Sequence, residues 1–188
     1  PGKTDAAPLA TRGTDIISKT EKSTETASGP QKNYALLFAT DIYSDPGFEK
    51  LSNPIHDVET MGKLLKEEFG FDVTIVPNPT LDNIETTLSE FRDTKNYGSN
   101  DQLFLFFAGH GVYDEKSKMG YLVATDSKVK DPNYKSYLSY SDLGNKYLKN
   151  FNCNRIFLVL DACFAGSFFD NNTVRGSPQE ANAKNLEA

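Results

Sequence analysis

Long apolar runs alternate along this chain with segments in which apolar residues recur every three or four positions. Four runs are apolar over most of their length, as strands covered on both faces of a sheet would be. They are Tyr34–Thr40, Phe71–Val76, Asp101–Gly109 and Asn154–Ala162. Residues 1–32, in contrast, are rich in Thr, Ser, Lys, Ala and Gly and have no apolar period. We therefore predict that they form a flexible leader or an interdomain linker.

Two of the segments between the runs have the helical period. The first begins at Asn53, a predicted N-cap followed by Pro54, and ends at Gly70, a common helix stop. Its apolar face comprises Ile55, Val58, Met61, Leu65 and Phe69. The second begins after Thr80, and its stripe comprises Leu81, Ile84, Leu88 and Phe91. We expect a third, shorter helix over Ser141–Phe151, with Leu143, Tyr147 and Leu148 facing inward.

This alternation predicts an α/β fold. Strands that follow one another through helices imply crossover connections and a mainly parallel sheet flanked by helices on both faces. A length of 188 residues suits one such domain plus tails, and we place the domain at residues 33–170. Residues 171–188 are polar and are expected to form a flexible linker that adds no strand.

Composition narrows the class of protein. The net charge of -6 argues against nucleic acid as the main partner, because phosphate-binding surfaces are usually basic. No segment approaches the roughly 20 apolar residues of a membrane helix. Two cysteines cannot form a disulfide framework, so we expect free thiols and a cytoplasmic protein. A signal peptide that had been removed would leave no trace in this sequence.

Two of the apolar runs lead into residues that can do chemistry. His110 and Gly111 follow the third run, and Cys163 follows the fourth. Functional groups collect beyond the carboxyl ends of parallel strands, so neighbouring strands would bring the imidazole and the thiol together. A histidine can deprotonate a thiol to the reactive thiolate and later protonate the leaving amine. The backbone amides of Gly111 and Cys163 are candidates for an oxyanion hole.

The other cysteine and histidine have no such context. Cys153 lies in a polar turn and His56 in a helix, and we interpret both as structural, since free cysteines are usually buried packing residues. Neither the cysteine nor the histidine spacing matches a zinc site. There is no phosphate-binding loop and no Gly-x-Ser-x-Gly nucleophile motif. We expect no cofactor.

The segments FLFFAGHG, ending at Gly111, and FLVLDACFAG, around Cys163, resemble the two catalytic signatures of the caspase-like superfamily. The nearest match is the metacaspase and bacterial caspase-like branch, and LSNPIHDVETMGKLL (Leu51–Leu65) resembles the segment after its first strand. The histidine precedes the cysteine by 53 residues, close to the spacing of about 50 in caspases. The resemblance spans Tyr34 to Asp170 and implies a caspase-haemoglobinase-like fold and a cysteine endopeptidase with a Cys163–His110 dyad.

The resemblance also implies a substrate preference. In metacaspases, an aspartate two residues before the nucleophile and another at the start of the first helix line the pocket for the residue before the cut. Here those positions are Asp161 and Asp57. Carboxylates there would pair with Lys or Arg of a protein or peptide substrate. The alternative for Asp57 is a first-turn charge that favours the helix dipole.

Two departures from the family pattern change what we expect. Asp170 and Asp142 match calcium-ligand positions of metacaspases, but Gly120 stands at a third, so we predict no calcium requirement. The last strands of the family's sheet follow the nucleophile and are absent from this sequence. We therefore expect either the large subunit of a processed enzyme, followed by a small-subunit segment with 171–188 as the intersubunit linker, or a chain whose remaining strands form a separate or missing segment. Self-processing is expected after Arg175 or Lys184.

Two alternatives stay open at this point. One is a catalytically silent caspase-like module that serves as an interaction or regulatory domain; loss of Cys163 or His110 would favour it, and both residues are present. The other is a different cysteine-dependent hydrolase or transferase on a similar sheet, for which the sequence has no motif.

Overall fold

The computed structural model of the protein describes residues 31–164. It contains six strands in that range. They are β1 Asn33–Ala39, β2 Asp72–Pro77, β3 Gln102–Asp114, β4 Met119–Val123, β5 Tyr137–Ser139 and β6 Arg155–Phe164. The predicted leader lies almost wholly outside the described residues, and the predicted linker, with Asp170, Arg175 and Lys184, lies outside them entirely.

The sheet is mostly parallel. The strand order is β2-β1-β3-β4-β5, and β6 pairs with β3. β1 pairs in parallel with both β2 and β3, and β3 pairs in parallel with β6. The hairpin from β3 to β4 and the pairing of β4 with β5 are antiparallel. The predicted α/β fold class is confirmed, but the expectation of four strands was too low, because β4 and β5 are short and lie in a polar region.

Two long helices cover the opposite faces of the sheet. α1 spans Pro54–Phe69 and α2 spans Leu81–Thr94. Alternate residues of β1 and β3 point to opposite faces, as the pleat of a strand requires. One set packs in a buried cluster with Val58 of α1. The other set packs in a larger cluster with Ile84, Leu88 and Phe91 of α2.

The helix ends follow the sequence, with one difference. Thr80 caps α2 through a reciprocal capping box with Asn83. Gly70 ends α1 in the left-handed conformation, at φ 66°. Asn53 holds the N-cap position of α1, but its side chain makes no capping hydrogen bond. The carboxylate of Asp41 accepts the hydrogen bond from the Ile55 amide instead, at 3.1 Å.

The segment predicted as a third helix is helical but irregular. A single α-helical turn, α3, spans Tyr140–Asp142 and runs into a π-helical turn at Leu143–Tyr147 and a 3₁₀ turn at Leu148–Asn150. Leu143 and Tyr147 are buried and Leu148 packs against the same cluster, so the inward face is as predicted. Between residues 31 and 164, no helix combines the length and the apolar character that crossing a membrane requires.

Candidate active site

The two strands that carry the predicted dyad are neighbours. β3 and β6 run parallel with Ala108 opposite Asp161, His110 opposite Cys163 and Gly111 opposite Phe164. Neighbouring strands lie about 4.8 Å apart, so the main chains at His110 and Cys163 are adjacent. The predicted end of the third strand at Gly109 was wrong, because β3 continues to Asp114 by pairing with β4. His110 nevertheless lies beyond the end of β1, whose last partner in β3 is Ala108.

The His110 ring is buried and oriented by a main-chain carbonyl. Only 4% of the residue is exposed. Its Nε2 atom lies 2.8 Å from the carbonyl oxygen of Glu49. Since a carbonyl oxygen can only accept, Nε2 carries the proton in this hydrogen bond. In the neutral ring Nδ1 is then the basic nitrogen.

The environment of His110 favours the neutral imidazole. Burial lowers its pKa, and the effect is partly opposed by the hydrogen bond to the Glu49 carbonyl and by the Glu49 carboxylate. A histidine with a lowered pKa is uncharged at neutral pH and can accept a proton, as a general base must.

The loop after β1 encloses the His110 ring. The ring centroid of Tyr43 lies 4.7 Å from that of His110, and the centroid of Phe48 lies 6.1 Å away. The Tyr43 hydroxyl accepts a hydrogen bond from the His110 amide at 2.9 Å. Tyr43, Phe48 and Glu49 lie outside every motif that the sequence offers. The available signal was the presence of two aromatic residues in a short loop directly after a buried strand.

The glycines beside His110 have different roles. Gly109 has a φ of 154°, and a Cβ atom there would lie 3.0 Å from the Tyr43 hydroxyl and 3.4 Å from the Thr40 carbonyl. A side chain at that position would therefore crowd the loop that encloses His110. Gly111, the predicted oxyanion donor, lies between Leu122 of β4 and Phe164 of β6.

The two predicted specificity carboxylates belong to the same side of the sheet. Asp57 is exposed in the first turn of α1. Asp161 is exposed two residues after Val159, which packs in the cluster beneath α1. Because residues two apart on a strand share a face, Asp161 lies on the face that α1 covers. His110 follows Ala108 of the same cluster by two residues and lies on this face as well.

The remaining candidate residues lie elsewhere. Cys153 is buried, and its thiol, whose pKa is raised by burial, lies 3.4 Å from the carbonyl oxygen of Arg155. His56 is exposed on α1. Asp142 ends α3, and Gly120 of β4 packs against the ring of Tyr140. Within residues 31–164 no cluster of three or more His, Cys, Asp or Glu could hold a metal ion, and Asp170 lies outside that range.

Comparison with known proteins agrees with the fold. One solved structure that matches is protein GSU0716 from Geobacter sulfurreducens, with 20% sequence identity and a TM-score of 0.55. The match covers 72% of this chain and 51% of that one, so the chain spans about half the length of this relative. At this identity the likeness shows the fold alone. A comparison with curated protein sequences found no significant match.

The sequence itself matches a family model. Residues 32–187 match the model described as the caspase domain, a peptidase family. This match covers the two signature segments and both strands that carry them, and it confirms the resemblance at the level of the family. It does not separate the metacaspase branch from the others, which stays a prediction. Because the model matches well over half of its residues, the chain belongs to the caspase domain family.

Proposed function

We propose that this chain is the catalytic part of a cysteine endopeptidase in which Cys163 is the nucleophile and His110 the general base. The observation that carries the proposal is the parallel register of β3 and β6, in which Cys163 stands opposite His110. Membership of a peptidase family supports the same class of reaction. The buried, neutral imidazole supports the role of a base.

The proposed reaction follows the usual order of thiol catalysis. Nδ1 of His110 takes the proton of the Cys163 thiol, and the thiolate attacks the carbonyl carbon of the scissile peptide bond. The amides of Gly111 and Cys163 stabilise the oxyanion that forms. The imidazolium then protonates the leaving amine as the C–N bond breaks. A water molecule, deprotonated by His110, hydrolyses the thioester and regenerates the thiol.

Substitution of the dyad tests the reaction. Cys163→Ala and His110→Ala should each abolish hydrolysis of fluorogenic peptides by the full-length protein, since each removes a reacting group. Cys153→Ala is the matched control and should retain activity, because that thiol is buried and inert. Labelling with a peptidyl chloromethylketone should require Cys163. Hydrolysis that survives Cys163→Ala would refute the assignment, and a folded protein with neither hydrolysis nor labelling would favour the silent module.

We further propose cleavage after Arg or Lys. The support is the exposure of Asp57 and Asp161 on the α1 side of the sheet, the side on which His110 lies. A charge-assisted hydrogen bond in a partly dry pocket is worth about 1.5–3 kcal/mol, or roughly tenfold to a hundredfold in kcat/KM.

Two charge-removing variants test the specificity. Asp161→Asn should lower kcat/KM roughly tenfold to a hundredfold on peptides ending in Arg. On matched neutral peptides the decrease should be much smaller. Asp82→Asn is the control: it also removes one carboxylate charge, but from the first turn of α2 on the other face of the sheet. It should leave kcat/KM unchanged on both kinds of peptide. Preferential cleavage after Asp by the unsubstituted protein would contradict the acidic pocket.

The proposed partner is a small-subunit segment that covers the outer edge of β6. Within residues 31–164, β6 pairs with β3 alone, and Phe157 on β6 is 66% exposed. An uncovered edge with an exposed aromatic residue favours pairing with another strand. We expect such strands, when supplied, to raise both the peptidase activity and the stability of the chain. Full activity of that chain alone would contradict this.

Self-processing is proposed in the linker over residues 171–188. An enzyme that prefers basic residues would cut there after Arg175 or Lys184. Intact-mass analysis of the full-length protein after incubation, with Cys163→Ala as control, measures it. Absence of any Cys163-dependent cut in this segment would count against self-processing.

A further inference from the structure

The hydroxyl group of Tyr43 joins the loop after β1 to the main chain of His110. It donates to the carbonyl oxygen of Thr40 at 3.0 Å and accepts the amide N–H of His110 at 2.9 Å. Thr40 is itself bound to β3, since its amide donates to the carbonyl of Ala108 at 3.0 Å. Regular pairing of β1 with β3 ends at Ala39 and Ala108. At His110 the Tyr43 side chain therefore supplies the contact that the ladder between β1 and β3 no longer provides, while the other edge of β3 stays paired with β6.

The Tyr43 ring also contacts the imidazole. The two rings lie 4.7 Å apart at an interplanar angle of 37°. Phe48 packs on both, at 5.5 Å from Tyr43 and 6.1 Å from His110. Burial raises the pKa of Tyr43, so its hydroxyl stays protonated and can donate and accept at the same time.

The loop that carries Tyr43 is itself firmly attached. The amide of Ser44 donates to the carbonyl of Thr125 at 2.7 Å, and the carboxylate of Asp45 accepts from the amide of Val129. Before Tyr43, the amides of Asp41 and Ile42 both donate to the side chain of Asn78. A group fixed on both sides in this way is suited to hold another residue in one geometry.

We propose that Tyr43 is the positioning residue of His110. Its hydroxyl fixes the main chain at His110 and thereby the angle at which Nε2–H meets the Glu49 carbonyl, while its ring packs against the imidazole. The fit is close, because even a Cβ atom at Gly109 would lie 3.0 Å from the hydroxyl oxygen. The inference rests on the proposed function of His110 as general base, and it adds a residue that acts through the imidazole without touching the substrate.

The test compares two variants that each remove one buried hydroxyl group. Tyr43→Phe keeps the ring and loses both hydrogen bonds. Tyr137→Phe is the control, since Tyr137 belongs to the same buried cluster, packs on Phe48 and donates to the carbonyl of Lys128 at 2.7 Å. Nitrogen-15 NMR of the imidazoles at pH 7 reports the tautomer of His110, and the only other histidine, His56, serves as internal reference.

We expect the unsubstituted chain to show the Nε2–H tautomer at His110, Tyr43→Phe to show a mixture of tautomers, and Tyr137→Phe to show no change. In the full-length protein, Tyr43→Phe should lower kcat about tenfold to a hundredfold with little change in KM, because the base is misplaced rather than lost. If both variants lose similar stability and Tyr43→Phe retains the tautomer and kcat, Tyr43 has a purely structural role and the proposal is overturned.

Two further measurements distinguish a failure of the proposed peptidase function from a failure of the proposed role of Tyr43. If the full-length protein has no Cys163-dependent hydrolysis, the proposed function fails, while the tautomers still decide whether Tyr43 orients His110. If Tyr43→Phe does not fold, amide exchange in the unsubstituted chain decides. The His110 amide should then exchange slowly because it donates to Tyr43, and rapid exchange would refute the proposal.

Discussion

The buried imidazole of His110 should make the stability of this protein depend on pH in a range where few other groups titrate. In the unfolded chain His110 is expected to have a pKa near 6.5. In the folded chain burial lowers that pKa. Below about pH 6.5 the unfolded state therefore binds more protons than the folded state, and the free energy of unfolding must fall as pH falls. The stabilisation that the neutral imidazole provides is fully present above about pH 6.5. It is lost as the pH falls toward the lowered pKa of His110 in the folded chain.

The size of the effect has an upper limit. If the folded imidazole takes up no proton down to pH 5.5, protonation of the unfolded state between pH 7 and pH 5.5 costs about 1.3 kcal/mol. The carboxylates add little in this window. Asp101, for example, has a pKa lowered by hydrogen bonds from the amides of Gly98 and Lys32, so its contribution is lost only below about pH 5.

Urea denaturation at four pH values between 5.5 and 7, followed by far-UV circular dichroism because the chain has no tryptophan, measures the effect. A loss near 1.3 kcal/mol moves the midpoint by roughly 0.4–1.3 M urea. His110→Gln retains an amide that can donate to Glu49 and should flatten the pH dependence. His56→Gln removes the exposed histidine and should leave it unchanged. If the free energy of unfolding depends on pH equally in the unsubstituted chain and in His110→Gln, the interpretation of a buried neutral imidazole is refuted.

Three other predictions follow from particular contacts. Asp41→Ala should lower the free energy of unfolding by about 1 kcal/mol, because its carboxylate caps an amide in the first turn of α1, whereas Asn53→Ala should cost only a few tenths in the same urea titration. Gly120→Ala should cost about 1–3 kcal/mol, because the new Cβ would lie 2.5 Å from an aromatic ring of α3, whereas Gly144→Ala has open space and should cost little. Chelation of calcium should leave peptide hydrolysis by the full-length protein unchanged, since Gly120 offers no carboxylate; a loss that millimolar calcium restores would contradict this.

The strands that carry the candidate dyad could be predicted because their signal is local. A strand buried on both faces must be apolar over several consecutive residues, and the runs before His110 and Cys163 meet that condition. The parallel arrangement followed from the helical segments between the runs. The helix ends were readable for the same reason, since Thr80 and Gly70 act on their own helices.

The short strands β4 and β5 had no comparable signal. β4 has five residues and β5 has three, so neither forms a long apolar run even though most of their residues are buried. Their absence from the prediction also placed the end of β3 too early, at Gly109. Glycine on both sides of His110 is typical of a loop, and only pairing of β3 with β4 extends the strand to Asp114.

Of all the features of the candidate site, the orientation of the His110 imidazole could least be predicted from the sequence. The group that holds Nε2 of His110 is the main-chain carbonyl of Glu49, 61 residues away, and every residue type has such a carbonyl. The group that holds the His110 amide is a tyrosine hydroxyl 67 residues away. Apolar patterning places His110 and Cys163 at two buried strands, because burial selects the strands, and the structure shows that those strands are neighbours. The direction of the imidazole depends instead on hydrogen bonds from a polar loop, and these arise only once the loop is fixed between β1 and α1. For this reason Tyr43→Phe, which leaves the apolar pattern of every strand intact, is the variant that should separate the stability of the fold from the function of the site.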